Sequence, residues 1–327
     1  MTIVSILFLL LPSAVQFDDA LEFLSDNSPL CDLVPAYAEI LSENVRLALL
    51  ARGQVSWGAL VPDSVFLDYV LPVRVSQEPV TDWRPQFFAE LLPLVADAPG
   101  IEAAAVRVLA WCDANADFMQ TQRRDQSPLV TLASGTGRCE ELTILQMDAL
   151  RSVCIPCRQV YTPWWMTCDN NHAWTEVWTP EGWVATESGL GVDSLDQPTW
   201  FSANASRSAV VVAVVQDSVP GALLRRGHAS LLNITSNYAD TGFIRTEGSF
   251  GGPVYVSIVN WGALRPVTRL VPGVDSLELG CGTYMLSWGW PVSCLTVEVT
   301  AGETVVVTPV DGGPLPGSTM LNVEEEH

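Results

Sequence analysis

The sequence predicts an α+β protein with a helical N-terminal part, a mixed helix–strand core and a C-terminal all-β sandwich. Three observations predict it. Apolar residues recur at helical spacing through most of the chain up to Val153. Alternating strands then begin at His172. Beyond Gly191, short β-branched runs parted by Gly- and Pro-containing turns replace helical periodicity. At 327 residues the chain exceeds one ordinary domain, and 48% apolar residues with 12 Trp suffice for real cores, which argues against extensive disorder.

The elements follow in order. Ile3-Val4-Ser5-Ile6-Leu7-Phe8-Leu9-Leu10-Leu11 is too short to span a bilayer, which takes ~20 residues. It has the length of a secretory h-region, so residues 1–16 are expected to be a signal peptide and the mature chain to be extracytoplasmic, with a buried N-terminal helix or strand as the alternative. Asp18 to Leu24 and Leu33 to Arg52 have helical periodicity, and Gly53 suits a C-terminal cap. Gln86 to Val95 and Ile101 to Ala114 read as helices separated by Pro99-Gly100. From Glu140 to Val153, Leu142, Leu145, Met147 and Leu150 give a helix one buried face.

His172 to Trp178 alternates as a strand, and Trp183 to Glu187 is the next. Thr179-Pro180-Glu181-Gly182 between them fits a type I turn, a register that pairs Trp178 with Trp183. Later strands are read at Ser208 to Val215, Val254 to Val259, Ser276 to Leu279, Thr283 to Trp288, Leu295 to Val299 and Thr304 to Val307. The expected boundaries are 17–125 for the helical part, 126–206 for the core, 207–312 for the sandwich and 313–327 for a flexible tail.

Charge excludes some partners. The net charge is −21, carried against 16 arginines and no lysine, so nucleic acid and anionic lipid should be repelled. Eight cysteines agree with export. Cys281 and Cys294 flank a short Gly/Trp-rich stretch and suit a hairpin staple. Cys154-Ile155-Pro156-Cys157 has C-x-x-C spacing, but it follows a helix and lacks a second ligand pair. A structural disulfide or plain packing is favoured there over zinc or redox chemistry.

The chemistry sits between Ser134 and Ser188. Cys139 falls at the start of a helix, where unpaired N–H groups and the helix dipole favour a thiolate. Gly135 and Gly137 permit a tight approach turn. His172 opens a strand, and the hairpin register places Glu187 diagonal to it on the same face, with Cβ atoms ~7 Å apart. Such a carboxylate orients an imidazole while its other nitrogen takes the thiol proton. Read as structure alone, His172 is a satisfied strand residue, Glu187 a solvated strand end and Cys139 an inert buried thiol. All three in this order favour an activated-thiol site.

These residues resemble the transglutaminase-like superfamily, a branch of the papain-like folds. The resemblance rests on Gly137-Arg138-Cys139, Ile155-Pro156, His172-Ala173-Trp174 and Gly182-Trp183-Val184 up to Glu187, and is firm over about Ser127 to Gly189. It implies a papain-like core, with Cys139 as nucleophile, His172 as general base and acid, and Glu187 as orienting carboxylate. Glu187 stands where the family usually has Asp, and Asp169 and Asp193 are its substitutes. Cys154 and Cys157 stand where the family commonly has small residues. The Cys139 N–H is the first oxyanion donor, with Gln126 as a possible second.

Gly251 through Tyr284 resembles a transthyretin-like, carboxypeptidase-regulatory sandwich. Together these imply an enzyme that attacks an amide of a peptide or protein substrate, forms a thioester, and releases it to water rather than to an amine, with no metal or organic cofactor. The competing expectation is a catalytically inactive binding module of an exported surface protein.

Overall fold

The computed structural model describes residues 15–120, 125–167, 170–186, 195, 202–248, 252–271, 276–289 and 292–309. Residues 1–14 of the expected signal peptide and the tail fall outside them, as do Glu187, Asp169 and Asp193.

The first half is helical. Helix α1 spans Phe17–Asn27, α2 Ala38–Gln54, α3 Asp63–Tyr69, α4 Arg84–Val95 and α5 Ile101–Asn115. Two-residue strands β1 (Asp117–Phe118) and β2 (Thr136–Gly137) pair in parallel around α6 (Pro128–Ser134), and α7 (Cys139–Ser152) follows. Helices α1, α2, α4, α5 and α7 match their sequence expectations within a few residues. Residues 33–37 are short 3-10 turns and loop rather than the first turn of α2. The expected cap at Gly53 is not used, because α2 continues to Gln54 and ends on Val55.

Helix α7 is enclosed along its length: every residue from Glu141 to Ser152 is buried. Leu142, Leu145, Leu150 and Val153 join one core with Phe87, Leu91, Val108 and Leu109 of α4 and α5. A second core packs α1, α2 and α3 through Leu24, Val45, Ala48 and Phe66. Buried polar side chains hold the irregular segment that joins α3 to α4. Arg84 donates to the Val70 and Arg151 carbonyls (2.8 and 2.7 Å) and to Asn44 Oδ1 (2.6 Å). Asn44 in turn donates to the Leu71 carbonyl (2.7 Å), and Arg151 Nη1 to those of Pro72 and Arg74 (3.3 and 3.2 Å). Carbonyls with no helical or sheet partner are thereby satisfied inside the protein.

Strands β3 (Cys157–Thr162), β4 (His172–Thr179) and β5 (Gly182–Thr186) lead, after α8 (Ser202–Ala205), to β6 (Val212–Val215), β7 (Leu224–Arg226) and β8 (Ala229–Asn233). They form one antiparallel six-stranded sheet in the order β5-β4-β3-β6-β8-β7. The β4–β5 hairpin has the expected register, with Trp178 opposite Trp183. The valine run ending at Val215, assigned by sequence to the sandwich, belongs instead to this sheet, where Val160 pairs with Ala213. The last strand of this sheet ends at Asn233.

The remaining strands are β9 (Thr241–Thr246), β10 (Val254–Asn260), β11 (Ala263–Leu270), β12 (Leu277–Gly280), β13 (Gly282–Trp288), β14 (Ser293–Val299) and β15 (Thr304–Val307). A four-stranded sheet, β11-β10-β13-β14, faces a three-stranded one, β12-β9-β15, across Ile244, Val256, Leu279 and Leu286. Strand β11 is absent from the sequence reading because Pro266 interrupts its pattern. As an edge strand it tolerates that residue, beside a register shift at Val256/Ser257.

The sandwich is docked on the large sheet, since Val210, Val212 and Leu231 share its core. At the contact Gly280 N–H donates to the Ala209 carbonyl (2.9 Å), and a Cβ on Gly280 would stand 1.9 Å from the Ser208 oxygen.

The expected staple is absent. No disulfide joins Cys281 to Cys294, and the β13–β14 register explains why: Cys294 lies opposite Ser287, while Gly282, next to Cys281, lies opposite Val299. Six residues of strand, ~20 Å, separate Cys281 from the position facing Cys294. Cys154 and Cys157 are likewise free and buried, so packing, not a disulfide, is their role.

Candidate active site

Cys139 is the first residue of α7, half-buried, with Arg138 as the N-cap. The Glu141 carboxylate folds back to accept the Arg138 N–H (2.7 Å), and the Arg138 guanidinium joins Glu141 to Asp125 (3.0 and 2.8 Å). Burial, with Glu140 nearby, lifts the Asp125 carboxyl to about 6 against the pull of Arg138. Gly137 is required by close approach: a Cβ there would lie 2.9 Å from that of Glu141. Glu140 accepts from Ser76 Oγ (2.7 Å) and from Gln159 Nε2 (3.4 Å), which ties the start of α7 to the segment held by Arg84 and Arg151.

Among the other described thiols, Cys281 is half-buried like Cys139 and Cys31 is exposed. Cys112, Cys154, Cys157 and Cys294 are buried. Burial pushes the Cys154 and Cys157 thiols up to about 12, and Cys112 well above its usual value. Cys154 sits just past the end of α7 with φ 56°, a left-handed position that glycine fills at least cost.

His172 opens β4 opposite Thr162. Alternation divides the sheet: Thr175 and Cys157 reach α7, bonding Gln146 Oε1 (2.9 Å) and the Met147 carbonyl (3.4 Å). His172, Trp174 and Glu176 belong to the opposite set. The His172 ring lies against both Trp165 (5.8 Å, 29°) and Trp174 (5.9 Å, 23°), whose own rings are 6.3 Å apart, and is 7% exposed. Trp174 Nε1 donates to Tyr238 Oη (2.9 Å), which donates to Glu176 Oε1 (2.5 Å), and Glu176 is ion-paired to Arg158 (2.6 Å).

Chain neighbours of Cys139 and His172, though neither residue itself, line one cavity. A cavity of about 590 Å3 is lined by Glu140, which follows Cys139, and by Asn171 and Ala173, which flank His172. The β4–β5 register extends toward Glu187 as expected, with Thr175 opposite Thr186, but Glu187 lies beyond the described residues. Gln126 donates its amide to the Thr136 carbonyl (2.8 Å). Among the described residues no group of three His, Cys, Asp or Glu is placed to hold a metal ion.

The sequence reading missed what surrounds the imidazole. Trp165 lies in the loop before β4, and the sandwich grips that loop. Asn260 Nδ2, at the end of β10, donates to the Trp165 carbonyl (2.7 Å), the Arg265 guanidinium lies 4.5 Å from the Trp164 ring, and Tyr284 Oη reaches Met166 (4.0 Å). The doublet Trp164-Trp165 was the available signal, but loop aromatics have no period to assign them a face.

Residues 93–188 match the family model of the transglutaminase-like superfamily. No curated protein matches the chain. Among solved structures, a Cytophaga hutchinsonii protein provisionally assigned as a cysteine protease is similar at 12% identity and TM-score 0.31, over 49% of this chain and 61% of its own. The chain thus covers less than two thirds of that protein. Legionella pneumophila LapG is similar at 15% identity and TM-score 0.28, over 46% of this chain and 76% of its own. Red sea bream transglutaminase is similar at 11% identity and TM-score 0.32, over 69% of this chain and 59% of its own.

Proposed function

We propose, from the transglutaminase-like segment of residues 93–188, that the chain is a cysteine enzyme acting on amide bonds of peptides or proteins. The observation that carries this is the position of Cys139: first residue of a buried helix, half-exposed, and followed by Glu140, which lines a large cavity. The thiolate adds to the amide carbonyl, His172 takes the thiol proton and returns it to the departing amine, and the thioester is hydrolysed by water activated at the same imidazole. The helix N-terminus and the Cys139 N–H favour the negative charge on the tetrahedral oxygen. Glu187 is assigned to orient His172, and Gln126 is a weaker candidate for an oxyanion donor because its amide is engaged at Thr136. An extracytoplasmic location goes with this reading and rests on the apolar run from Ile3 to Leu11.

One observation favours a second reading, an inactive binding module: His172 belongs to the strand set facing away from α7 and is packed against two tryptophans. The test is incubation with a glutamine-rich protein and a labelled primary amine. We expect cleavage or deamidation that Cys139→Ala abolishes, without amine incorporation. Equal products from wild type and Cys139→Ala would favour the binding module, and efficient incorporation would make the enzyme a crosslinker.

A further inference from the structure

The cavity lined by Glu140, the residue after Cys139, does not end at the large sheet. Its floor is Gln159, Tyr161 and Ala173, the α7 side of β3 and β4, continued by Val214 and Leu231 of β6 and β8. A second cavity, of about 250 Å3, shares Tyr161, Pro163, Arg226 and Leu231 with it and runs on to Tyr255, Val267 and Arg269 of the sandwich. The two form one groove, starting at Glu140 and leaving across the β10–β11 hairpin. A cavity of a few hundred Å3 holds a small ligand, whereas a groove open along its length suits an extended chain.

Its charges are unevenly committed. Asp32, near the α1 wall, is ion-paired to Arg74, and Glu140 accepts from Ser76 and Gln159. Arg226 and Arg269 have no carboxylate within ion-pair distance among the described residues, and the His228 ring lies beside Arg226 in the β7–β8 turn. The uncommitted guanidinium groups of the groove thus sit away from Cys139, in a chain whose net charge is −21. Guanidinium forks match carboxylates in shape as well as charge, and a walled groove concentrates their field.

We infer that this groove is the substrate channel of the proposed enzyme and takes an extended polypeptide with acidic side chains a few residues from the amide attacked at Cys139. The inference rests on the reading of Cys139 as nucleophile. Arg226 meets the acidic side chains where the two cavities join, and Arg269 meets those farther along. Glu140 repels them from the nucleophile's end, which fixes the direction of the chain.

The test is fluorescence anisotropy with two rhodamine-labelled peptides of about ten residues around one glutamine. One carries Asp and Glu on one flank, and the other carries Lys at the same positions. Full-length Cys139→Ala protein is used so that binding is read without turnover. The acidic peptide is expected to bind about tenfold or more tighter at low salt, with the preference shrinking as salt rises. Arg226→Gln with Arg269→Gln should weaken it about three- to tenfold, and Arg245→Gln, outside the groove and paired to Glu247, should not. Equal binding of the two peptides, no effect of the double substitution, or an equal effect of Arg245→Gln would overturn the inference. Alkylation of Cys139 in otherwise wild-type protein separates this from the enzyme reading. Lost peptide preference with His172-dependent labelling intact removes only the groove, whereas preserved preference without such labelling removes the nucleophile.

Discussion

Cys139 and the cysteines around it share a side chain but not a setting. It is half-exposed at a helix start, Cys281 is half-exposed between β12 and β13, Cys31 is exposed in the N-terminal part, and Cys112, Cys154, Cys157 and Cys294 are buried. In folded protein at neutral pH, iodoacetamide should therefore modify Cys139, Cys31 and Cys281 while those four stay unmodified until denaturant is added, as peptide mapping would show. Asp68 gives a pH-dependent prediction. Burial, and then Asp217, raise its carboxyl to about 6. Between its unfolded value near 4 and its folded value, the native state holds the proton that the unfolded chain has released. Stability from this group is thus fully present below pH ~4 and lost as pH rises through ~6. Asp68→Asn should stabilise the protein by about 1 kcal/mol at pH 7.5, a figure reduced for the partial exposure of the group, and by nearly nothing at pH 4. Urea melts at the two pH values would show it, and an equal effect at both would contradict the assignment.

Between elements, the site depends on two supports that sequence periodicity does not show. The first is Arg84. Wholly buried, it is pulled down to about 9 by burial, while burial drives the adjacent Asp148 carboxyl well above its ordinary range. Arg84→Met leaves the Val70 and Arg151 carbonyls and Asn44 without their donor, and should cost about 3–5 kcal/mol in chemical denaturation. The second is the grip of the sandwich on the loop before β4. Asn260→Ala removes the bond to the Trp165 carbonyl and should slow His172-dependent alkylation of Cys139 several-fold, while Asn260→Asp, which keeps only an acceptor, should not rescue it. Unchanged alkylation in Asn260→Ala would confine the contact to a structural role. The β4–β5 register was legible because alternation and a Pro–Gly turn leave few choices. The valine run before Val215 was not, because a continuous apolar strand has no polar face to say which sheet it joins.

At the scale of the molecule, the helical part, the large sheet and the sandwich meet around one region. α7 and the segment before α4 form one wall, the sheet forms the floor, and the β10–β11 hairpin closes the far side. The order of Cys139, His172 and the β5 strand was legible in sequence because it lies in a short continuous stretch. The contribution of the sandwich was not, since Asn260 and Trp165 are joined only by the fold. Gly280→Val, which drives a side chain into the Ser208 carbonyl, should loosen this docking and cost more than ~2 kcal/mol, visible as a separate early transition of the sandwich in calorimetry. The central claim is that Cys139 and His172 work as a pair. Its most direct test is the rate of Cys139 carboxymethylation at pH 6.5 in wild type and in His172→Ala, with Cys31 as the internal reference. The account predicts that Cys139 reacts about tenfold or more faster than Cys31 in wild type, and that His172→Ala removes most of that advantage. Equal rates for the two thiols in wild type, or an advantage that survives His172→Ala, would contradict it.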